Sequence, residues 1–161
     1  MAAVLVTLLS LGSVFAQGGA GRPFITKWQG KAGEELKLPI VGTNYKLVIK
    51  NEKGEEVKSE AKVTVTREDK YHPFTPKTDG VYTVEAGPEG VRSMYMRGEW
   101  DGNKFIPLTS NYNLLEVVQF GTVAWQSMDE MFYGCKQMTF AANIDRPDLT
   151  KVTNMDGMFL G

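Results

Sequence analysis

The sequence has one cysteine and one histidine, Cys135 and His72, among its 161 residues. A single thiol excludes an internal disulfide, so the fold must be held together by its apolar core. An unpaired cysteine in an exported chain can mark a reactive site, but we favour the interpretation of Cys135 as a small core side chain. Catalysis by a cysteine–histidine pair would require the two side chains to meet, and the two residues lie in different predicted domains.

The sequence also lacks the patterns of common cofactor sites. No cluster of His and Cys has the spacing of metal ligands, and no glycine-rich phosphate loop follows a strand pattern. The number of acidic residues is large enough to allow a pair of catalytic carboxylates. No acidic residue lies in a sequence context typical of such a pair. The sequence therefore predicts no catalytic residue, no cofactor and no metal site.

An excess of positive charge is absent, because 18 Lys and Arg residues are balanced by 19 Asp and Glu residues for a net charge of -1. Nucleic-acid-binding domains carry a strong basic surplus, so we expect no nucleic-acid partner. The charges concentrate between residues 51 and 70, where their signs alternate. This alternation is typical of a solvated face rather than of a binding patch.

No apolar run is long enough for a transmembrane helix. Residues 4–11 are almost continuously apolar, but spanning the bilayer needs about 20 such residues. Val14, Phe15 and Ala16 form a signal-peptidase pattern, so we predict a signal peptide over residues 1–16 and a secreted or cell-surface protein without a transmembrane span in its mature chain. No Lys or Arg precedes Arg22, which leaves open a misassigned start codon or a clipped N-terminus.

Residues 22–97 have the pattern of a small all-β domain. Apolar and polar residues alternate around residues 36–40 with the period of a half-buried strand, and turn signals separate several such segments. The segment around Tyr82 resembles the tyrosine-corner strand of immunoglobulin-like domains, in which the hydroxyl binds upstream backbone. An Asp-Gly turn between two aromatic residues predicts a connecting hairpin within residues 98–113.

Two windows in the C-terminal part, residues 125–134 and 152–161, share five identities at a single offset. Every identical pair is separated by 27 residues: Met128 and Met155, Asp129 and Asp156, Met131 and Met158, Phe132 and Phe159, Gly134 and Gly161. A period of about 20–29 residues is typical of leucine-rich repeats, in which each unit supplies one strand and one short helix. Residues 114–161 are therefore predicted to begin an α/β solenoid of this type.

The local chemistry of the repeat predicts a capped helix. Ser127 and Glu130 have the spacing of a capping box, and Asn154 is the equivalent cap in the second copy. Apolar residues of the first copy recur at i, i+3 and i+4 and would share one helix face, and Gly134 can end the helix. We expect the repeat core to comprise seven side chains: Met128, Met131, Phe132, Cys135, Met155, Met158 and Phe159.

The repeat pattern is incomplete. Such units bury their apolar faces only against neighbours, so about three or more are normally needed. The sequence contains one complete unit, residues 125–151, and the opening of another. We therefore expect the N-terminal part of a longer solenoid protein or a truncated gene product.

The repeat segments at residues 127–135 and 152–161 resemble the core motif of the BspA-like family of bacterial surface proteins, Val-x-(Asn/Ser)-Met-x-x-Met-Phe-x-Gly-Cys. Residues 145–155 resemble the linker between the family's repeats, and residues 23–28 resemble the opening of the β-sandwich that often precedes them. A Trp-Gly-Asp-Gly loop found in many relatives is absent at residues 50–54, so no activity tied to that loop is expected.

This resemblance implies a fold and a function. The fold would be mainly β, with an immunoglobulin- or PKD-like β-sandwich over residues 22–97 followed by incomplete leucine-rich repeats over residues 114–161. The function would be adhesion to host or bacterial surface proteins, with no catalytic residues. We expect an exported cell-surface protein that binds partners through its repeat surface and is not an enzyme.

The alternative function is that of a carbohydrate-binding module in a glycan-recognition system. Trp28, Trp100 and Tyr112 would then be exposed platforms on which sugar rings stack. Isolated aromatic residues more commonly fill a core, which would exclude that role.

Overall fold

The computed structural model describes residues 21–100, 102–106, 108 and 112–161, so the predicted signal peptide over residues 1–16 lies outside the described residues. The described chain is mainly β, as predicted, and contains no α-helix. Its strands are β1 (Phe24–Gly30), β2 (Leu36–Leu38), β3 (Ile40–Lys50), β4 (Glu56–Val65), β5 (His72–Phe74), β6 (Gly80–Ala86), β7 (Val91–Met94), β8 (Glu99–Trp100), β9 (Phe105–Ile106), β10 (Leu114–Gln119) and β11 (Thr139–Phe140).

One large mixed sheet contains seven strands: six lie in the order β11-β10-β1-β6-β3-β4, and the seventh, β7, pairs with β3 beside this path. All pairings in this sheet are antiparallel except that of β10 with β11, which is parallel. Strands β2 and β5 form a small second sheet, and β8 pairs antiparallel with β9. This last pairing lies within residues 98–113, where the sequence predicts a connecting hairpin.

The large sheet forms where apolar residues alternate with polar ones along the chain. In β1, Phe24, Thr26 and Trp28 are buried and the residues between them are half-exposed. Because successive strand side chains point to opposite faces, this pattern directs one face of the sheet to the core and the other to solvent. The buried hydroxyl of Thr26 accepts a hydrogen bond from Trp28 Nε1 at 2.7 Å, which satisfies the indole inside the core.

Tyr82 in β6 makes the contact that the sequence predicts for a tyrosine corner. Its hydroxyl donates a hydrogen bond to the carbonyl oxygen of Thr78 at 2.8 Å, four residues upstream. Its ring is buried and meets the ring of Phe74 edge to face. The predicted role of Tyr82 is therefore confirmed.

A single apolar core includes residues from both halves of the described chain. Phe24 of β1 meets Trp125, from the predicted repeat region, edge to face with ring centroids 5.0 Å apart. Strand β10, which opens that region, pairs with β1. The division into domains at residue 114 stays a prediction, but the first repeat residues share the sheet and the core of the N-terminal strands.

The helical part of the predicted solenoid is wrong. Residues 129–134 form consecutive turns, and the last copy also folds as turns. Alternate amides of the first copy donate to carbonyl groups of the second copy instead of to carbonyls in the preceding turn of their own segment. Because each amide has one hydrogen to donate, this cross-copy bonding excludes the α-helical pattern.

Candidate binding surface

The two repeat copies lie side by side as two coils, which we call the first coil (residues 125–151) and the second coil (residues 152–161). Four amides of the first coil donate to four carbonyls of the second at 2.8–2.9 Å: Met128 to Asn154, Glu130 to Asp156, Phe132 to Met158 and Gly134 to Leu160. Each acceptor directly precedes the residue that is 27 positions after the donor. The residues aligned in sequence are therefore neighbours in space.

The seven residues predicted as the repeat core differ in burial. Met128, Met131 and Phe132 of the first coil are buried, and Cys135 and Met158 are partly buried against the core. Met155 and Phe159 are exposed, although the Phe159 ring stacks on that of Phe132 at 5.6 Å. The first coil is covered by the second, whereas no described residue covers the far side of the second.

The predicted capping residues bind neighbouring amides, but the capping box is wrong. The Ser127 hydroxyl accepts the Asp129 amide at 3.1 Å, and the Asn154 side-chain oxygen accepts the Asp156 amide at 2.8 Å, so both cap turns instead of helices. Glu130 does not complete a box, because its amide donates to the second coil and its φ of +50° is left-handed. The aligned residue Gly157 has a similar φ of +60°, a conformation that glycine adopts readily.

Charged side chains attach the first coil to the N-terminal strands. Arg67 pairs with Asp129 at 2.7 Å, and its guanidinium lies 4.5 Å from the centre of the Tyr95 ring. Glu130 contacts Arg97 at 3.5 Å. Burial raises the pKa of Tyr95, and its hydrogen bond with Glu130 adds to that increase. These contacts fix the orientation of the first coil against the strands.

Asp145 makes a second attachment that the sequence analysis did not single out. Its carboxylate accepts the backbone amides of Phe120 and Gly121 at 2.7 and 2.9 Å and pairs with Arg22 at 3.0 Å. Its partners lie 24 or more positions away in the chain, so no local pattern could have indicated them. Asp145 thereby holds the end of β10 to the first coil.

The solvent side of the large sheet, which we call the outer sheet face, runs without interruption from the N-terminal strands to the coils. The strand registers align one residue from each of six strands, β11, β10, β1, β6, β3 and β4, across it. This row consists of Thr139, Glu116, Lys27, Thr83, Lys50 and Glu56. None of these six side chains is buried, so the row presents polar groups to solvent from β11 to β4.

Two ion pairs order the long side chains of the outer sheet face. Lys27 binds Glu116 at 2.6 Å between β1 and β10, and Lys50 binds Glu85 at 2.5 Å between β3 and β6. A shallow depression of about 330 Å³ lies between the two lysines, with Val81 among its lining residues. The face therefore combines a depression with charged groups already held in place.

A larger groove of about 490 Å³ lies elsewhere, where Lys58, Thr75 and Tyr82 are among its lining residues. The Tyr82 hydroxyl is bound to backbone, and Lys58 Nζ is bound to Glu60 at 2.7 Å. The hydrogen bond from Lys58 lowers the pKa of Glu60, which keeps this pair ionised. We regard the outer sheet face as the better candidate despite its smaller depression, because its polar row joins the N-terminal strands to the first coil.

The structure does not bring His72 and Cys135 together. His72 Nε2 lies 3.0 Å from both Glu60 and Lys58, whereas the Cys135 thiol donates a long hydrogen bond of 3.7 Å to the Tyr133 carbonyl. Burial raises the pKa of the Cys135 thiol to about 12. The thiol is therefore protonated at neutral pH, as expected of a packing residue and not of a nucleophile.

We expect Cys135 to react with a maleimide at about pH 8 at least ~100-fold more slowly in the folded protein than in concentrated urea, where its pKa returns to about 8.5. The rate follows from labelling both samples and measuring the mass increase over time, with Cys135→Ser as the background control. Equal rates in the two states would identify an accessible, reactive thiol.

The aromatic residues proposed as sugar platforms differ in exposure. Trp28 is fully buried, so its predicted role as an exposed platform is wrong. Tyr112 is exposed, and the side chain of Trp100 lies outside the described part of the structure. In the carbohydrate-binding alternative, Trp28 of β1 therefore cannot serve as a surface on which a sugar ring stacks.

Within the described residues, no group of three or more His, Cys, Asp or Glu side chains is placed to hold a metal ion, and no helix could span a membrane. No family model, curated protein or solved structure matches the chain. The resemblance to the BspA-like family thus stays a prediction from the repeat residues.

Proposed function

We propose that this protein is an exported cell-surface adhesion protein that binds a protein partner through its outer sheet face and performs no catalysis. The observation that carries the proposal is the polar row that crosses six of the seven strands of the large sheet, from Thr139 to Glu56. A partner that contacts this row would touch the N-terminal strands and the first coil together. The binding surface would thus include the repeat strands but extend beyond them.

The proposal includes the finer architecture. Strands β1–β7 would form an immunoglobulin- or PKD-like sandwich, and the two coils would begin a leucine-rich-repeat-type solenoid made of turns. The tyrosine-corner hydrogen bond of Tyr82 supports the first assignment. The regular amide-to-carbonyl bonding between the two copies, from each donor to the residue 26 positions later, supports the second.

The physical character of the outer sheet face suits protein recognition. Lys27 and Lys50 are held by carboxylates on neighbouring strands, so a partner would meet side chains that are already ordered. Ordering side chains on binding costs about 0.5–1.5 kcal/mol each, and a pre-organised face avoids part of that loss. The row carries both signs of charge, which favours a partner with complementary charges over a uniformly acidic or basic polymer.

We expect Thr83→Arg to weaken binding to a protein ligand at least about tenfold, because a long cation at the centre of the row displaces the partner and repels its basic groups. Thr75→Arg is the matched control, since Thr75 is exposed beside the larger groove. The measurement is surface plasmon resonance against immobilised fibronectin, laminin, collagen and bacterial polysaccharides.

Binding to one of these proteins that survives Thr75→Arg and is lost in Thr83→Arg supports the proposal. Binding that survives Thr83→Arg and is lost in Thr75→Arg would place the site at the groove. That result would contradict the assignment to the outer sheet face. Binding to polysaccharides alone favours the glycan-recognition alternative. Absence of binding to every immobilised probe contradicts the adhesion function.

A further inference from the structure

Strand β4 lies at one end of the large sheet, and it pairs only with β3 among the strands of the described chain. Within the residues that the structure describes, no backbone group from Glu56 to Val65 bonds to the backbone of any segment other than β3. An edge strand of this kind presents amide and carbonyl groups that can pair with another strand. We call the side of β4 that points away from β3 the β4 edge.

The charged side chains of β4 alternate in sign around Ser59, in the order Glu56, Lys58, Glu60 and Lys62. Charges on an edge strand normally oppose pairing with a further strand, because they bring like charges together or leave charges without partners. An alternating series acts differently on a second copy of itself. It opposes the registers that place like charges together and favours a register that places every charge opposite one of the other sign.

One antiparallel register of two β4 strands meets this condition along the whole series. With Ser59 opposite Ser59 of a second copy, Lys58 lies opposite Glu60 and Glu56 lies opposite Lys62. Each pair occurs twice, because the arrangement is two-fold symmetric. A shift of two residues in either direction places Lys58 opposite Lys58 or Glu60 opposite Glu60. A shift of one residue would turn the core-facing side of one strand toward the solvent side of the other.

The inner pair of charges lies on the correct face for this register. Lys58 and Glu60 are aligned with Ile49 and Leu47 of β3, whose side chains are buried. Directly opposed residues of an antiparallel pair share a face, so both charges lie on the core-facing side of the sheet. Lys58 and Glu60 of one copy could therefore meet Glu60 and Lys58 of the other on a single face.

The outer pair of charges lies together on the opposite face. Glu56 is aligned with Lys50 on the outer sheet face. Lys62 is exposed and directly precedes the buried Val63, so its side chain points to the solvent side. Glu56 of one copy and Lys62 of the other would therefore meet on the outer sheet face.

Two irregularities of β4 are placed symmetrically about Ser59. The register with β3 shifts between Glu56 and Lys58 and again between Glu60 and Val63, and each shift inserts one extra residue into β4. Such bulges commonly protect edge strands, because a regular strand does not fit against them. In the register centred on Ser59, each bulge of one copy lies opposite a bulge of the other. The irregular edge is therefore matched by its own copy in this register.

We propose that the β4 edge pairs with the β4 edge of a second copy of this chain, antiparallel and centred on Ser59. The pairing joins two large sheets into one continuous sheet across the two-fold axis. One strand from each copy makes a small interface, so the dimer is weak and reversible. This surface adds a second partner to the protein partner proposed above.

The first test traps the dimer with a disulfide at its centre. Opposed residues of an antiparallel pair have Cα atoms about 4.5–5.5 Å apart, within the range of about 4.4–6.8 Å that a disulfide spans. The full chain carries Cys135→Ser, which removes its one native thiol, together with Ser59→Cys. We expect a disulfide-linked dimer to accumulate in a glutathione redox buffer, measured by mass spectrometry without reductant.

Ala61→Cys in the same Cys135→Ser chain is the matched control, because Ala61 and Ser59 are both exposed on β4. In the proposed register the two Ala61 positions lie four residues apart along the strands, about 13 Å, which is too far for a disulfide. We expect Ser59→Cys to give at least about tenfold more dimer than Ala61→Cys.

The second test exchanges the outer charges. In the chain with Ser59→Cys, Glu56→Lys places a lysine opposite Lys62 of the second copy, so we expect the dimer yield to fall about fivefold or more. Adding Lys62→Glu restores opposite charges and should return the yield to within about twofold of its original value. Both side chains are exposed, and far-UV circular dichroism checks that each variant is folded.

A dimer that forms through Ser59→Cys, falls with Glu56→Lys and returns with Lys62→Glu supports the proposal. Equal yields from Ser59→Cys and Ala61→Cys, or no dimer from either, overturn it. A yield that Glu56→Lys does not change, or that the second exchange does not restore, also overturns it. Loss of protein binding in Thr83→Arg is measured separately on β6, so the two proposals fail independently.

Discussion

Replacing Trp125 by alanine is expected to lower the free energy of unfolding by about 3–5 kcal/mol, the range for removing a large aromatic side chain from a core. Trp125 is fully buried and contacts Phe24 and Phe120 edge to face, at 5.0 and 6.2 Å between ring centroids. It therefore joins the first coil to β1 and to the end of β10. Urea denaturation followed by far-UV circular dichroism measures the change.

Trp125→Phe is the matched control for this experiment. Among the described residues the buried Nε1 of Trp125 has no hydrogen-bond partner, so phenylalanine keeps an aromatic ring and removes a donor that is unpaired there. We expect this variant to lose about 1–2 kcal/mol, less than the alanine variant. Two separate unfolding transitions, or a loss below about 1 kcal/mol in Trp125→Ala, would contradict a single shared core.

Replacing Asp145 by alanine is expected to lower the free energy of unfolding by about 2–4 kcal/mol, because two buried backbone amides lose their acceptor and each unpaired group costs about 1–3 kcal/mol. These amides belong to Phe120 and Gly121, which are both buried. Asp145→Asn keeps one acceptor oxygen and should lose less. The free energies come from the same urea titration.

Asp148→Ala is the control within the same segment. The Asp148 carboxylate binds only the hydroxyl and amide of Thr150, at the surface. We expect its removal to change stability much less than the removal of Asp145. Equal effects of the two substitutions would mean that Asp145 does not hold β10 to the first coil.

The features predicted from the sequence are those that depend on neighbouring or repeating residues. The tyrosine corner was predicted because its hydrogen bond spans four residues, from Tyr82 to Thr78. The pairing of β8 with β9 was predicted because the sequence between them contains Asp-Gly, a dipeptide typical of hairpin turns. The alignment of the two repeat copies was predicted from their five identical residues alone, without knowledge of how the copies pack.

The candidate site required information that no local pattern contains. The row on the outer sheet face depends on β10 pairing with β1, whose residues Lys27 and Glu116 are 89 positions apart. The exposure of Met155 and Phe159 depends on which side of each coil is covered. The sequence spacing indicated that the apolar residues of each copy share one face. It did not indicate which part of the chain packs against that face.

The sequence by itself determined that the chain is mainly β, that Tyr82 ties a corner and that two copies recur 27 residues apart. The tertiary structure decided that those copies are turns and not helices, and that β11 of the first coil extends the sheet of the N-terminal strands. The physical reason is that each backbone amide donates its hydrogen to one main acceptor. Glu130 could have donated within its own segment, but the Asp156 carbonyl lies 2.9 Å away in the next coil and accepts that bond instead.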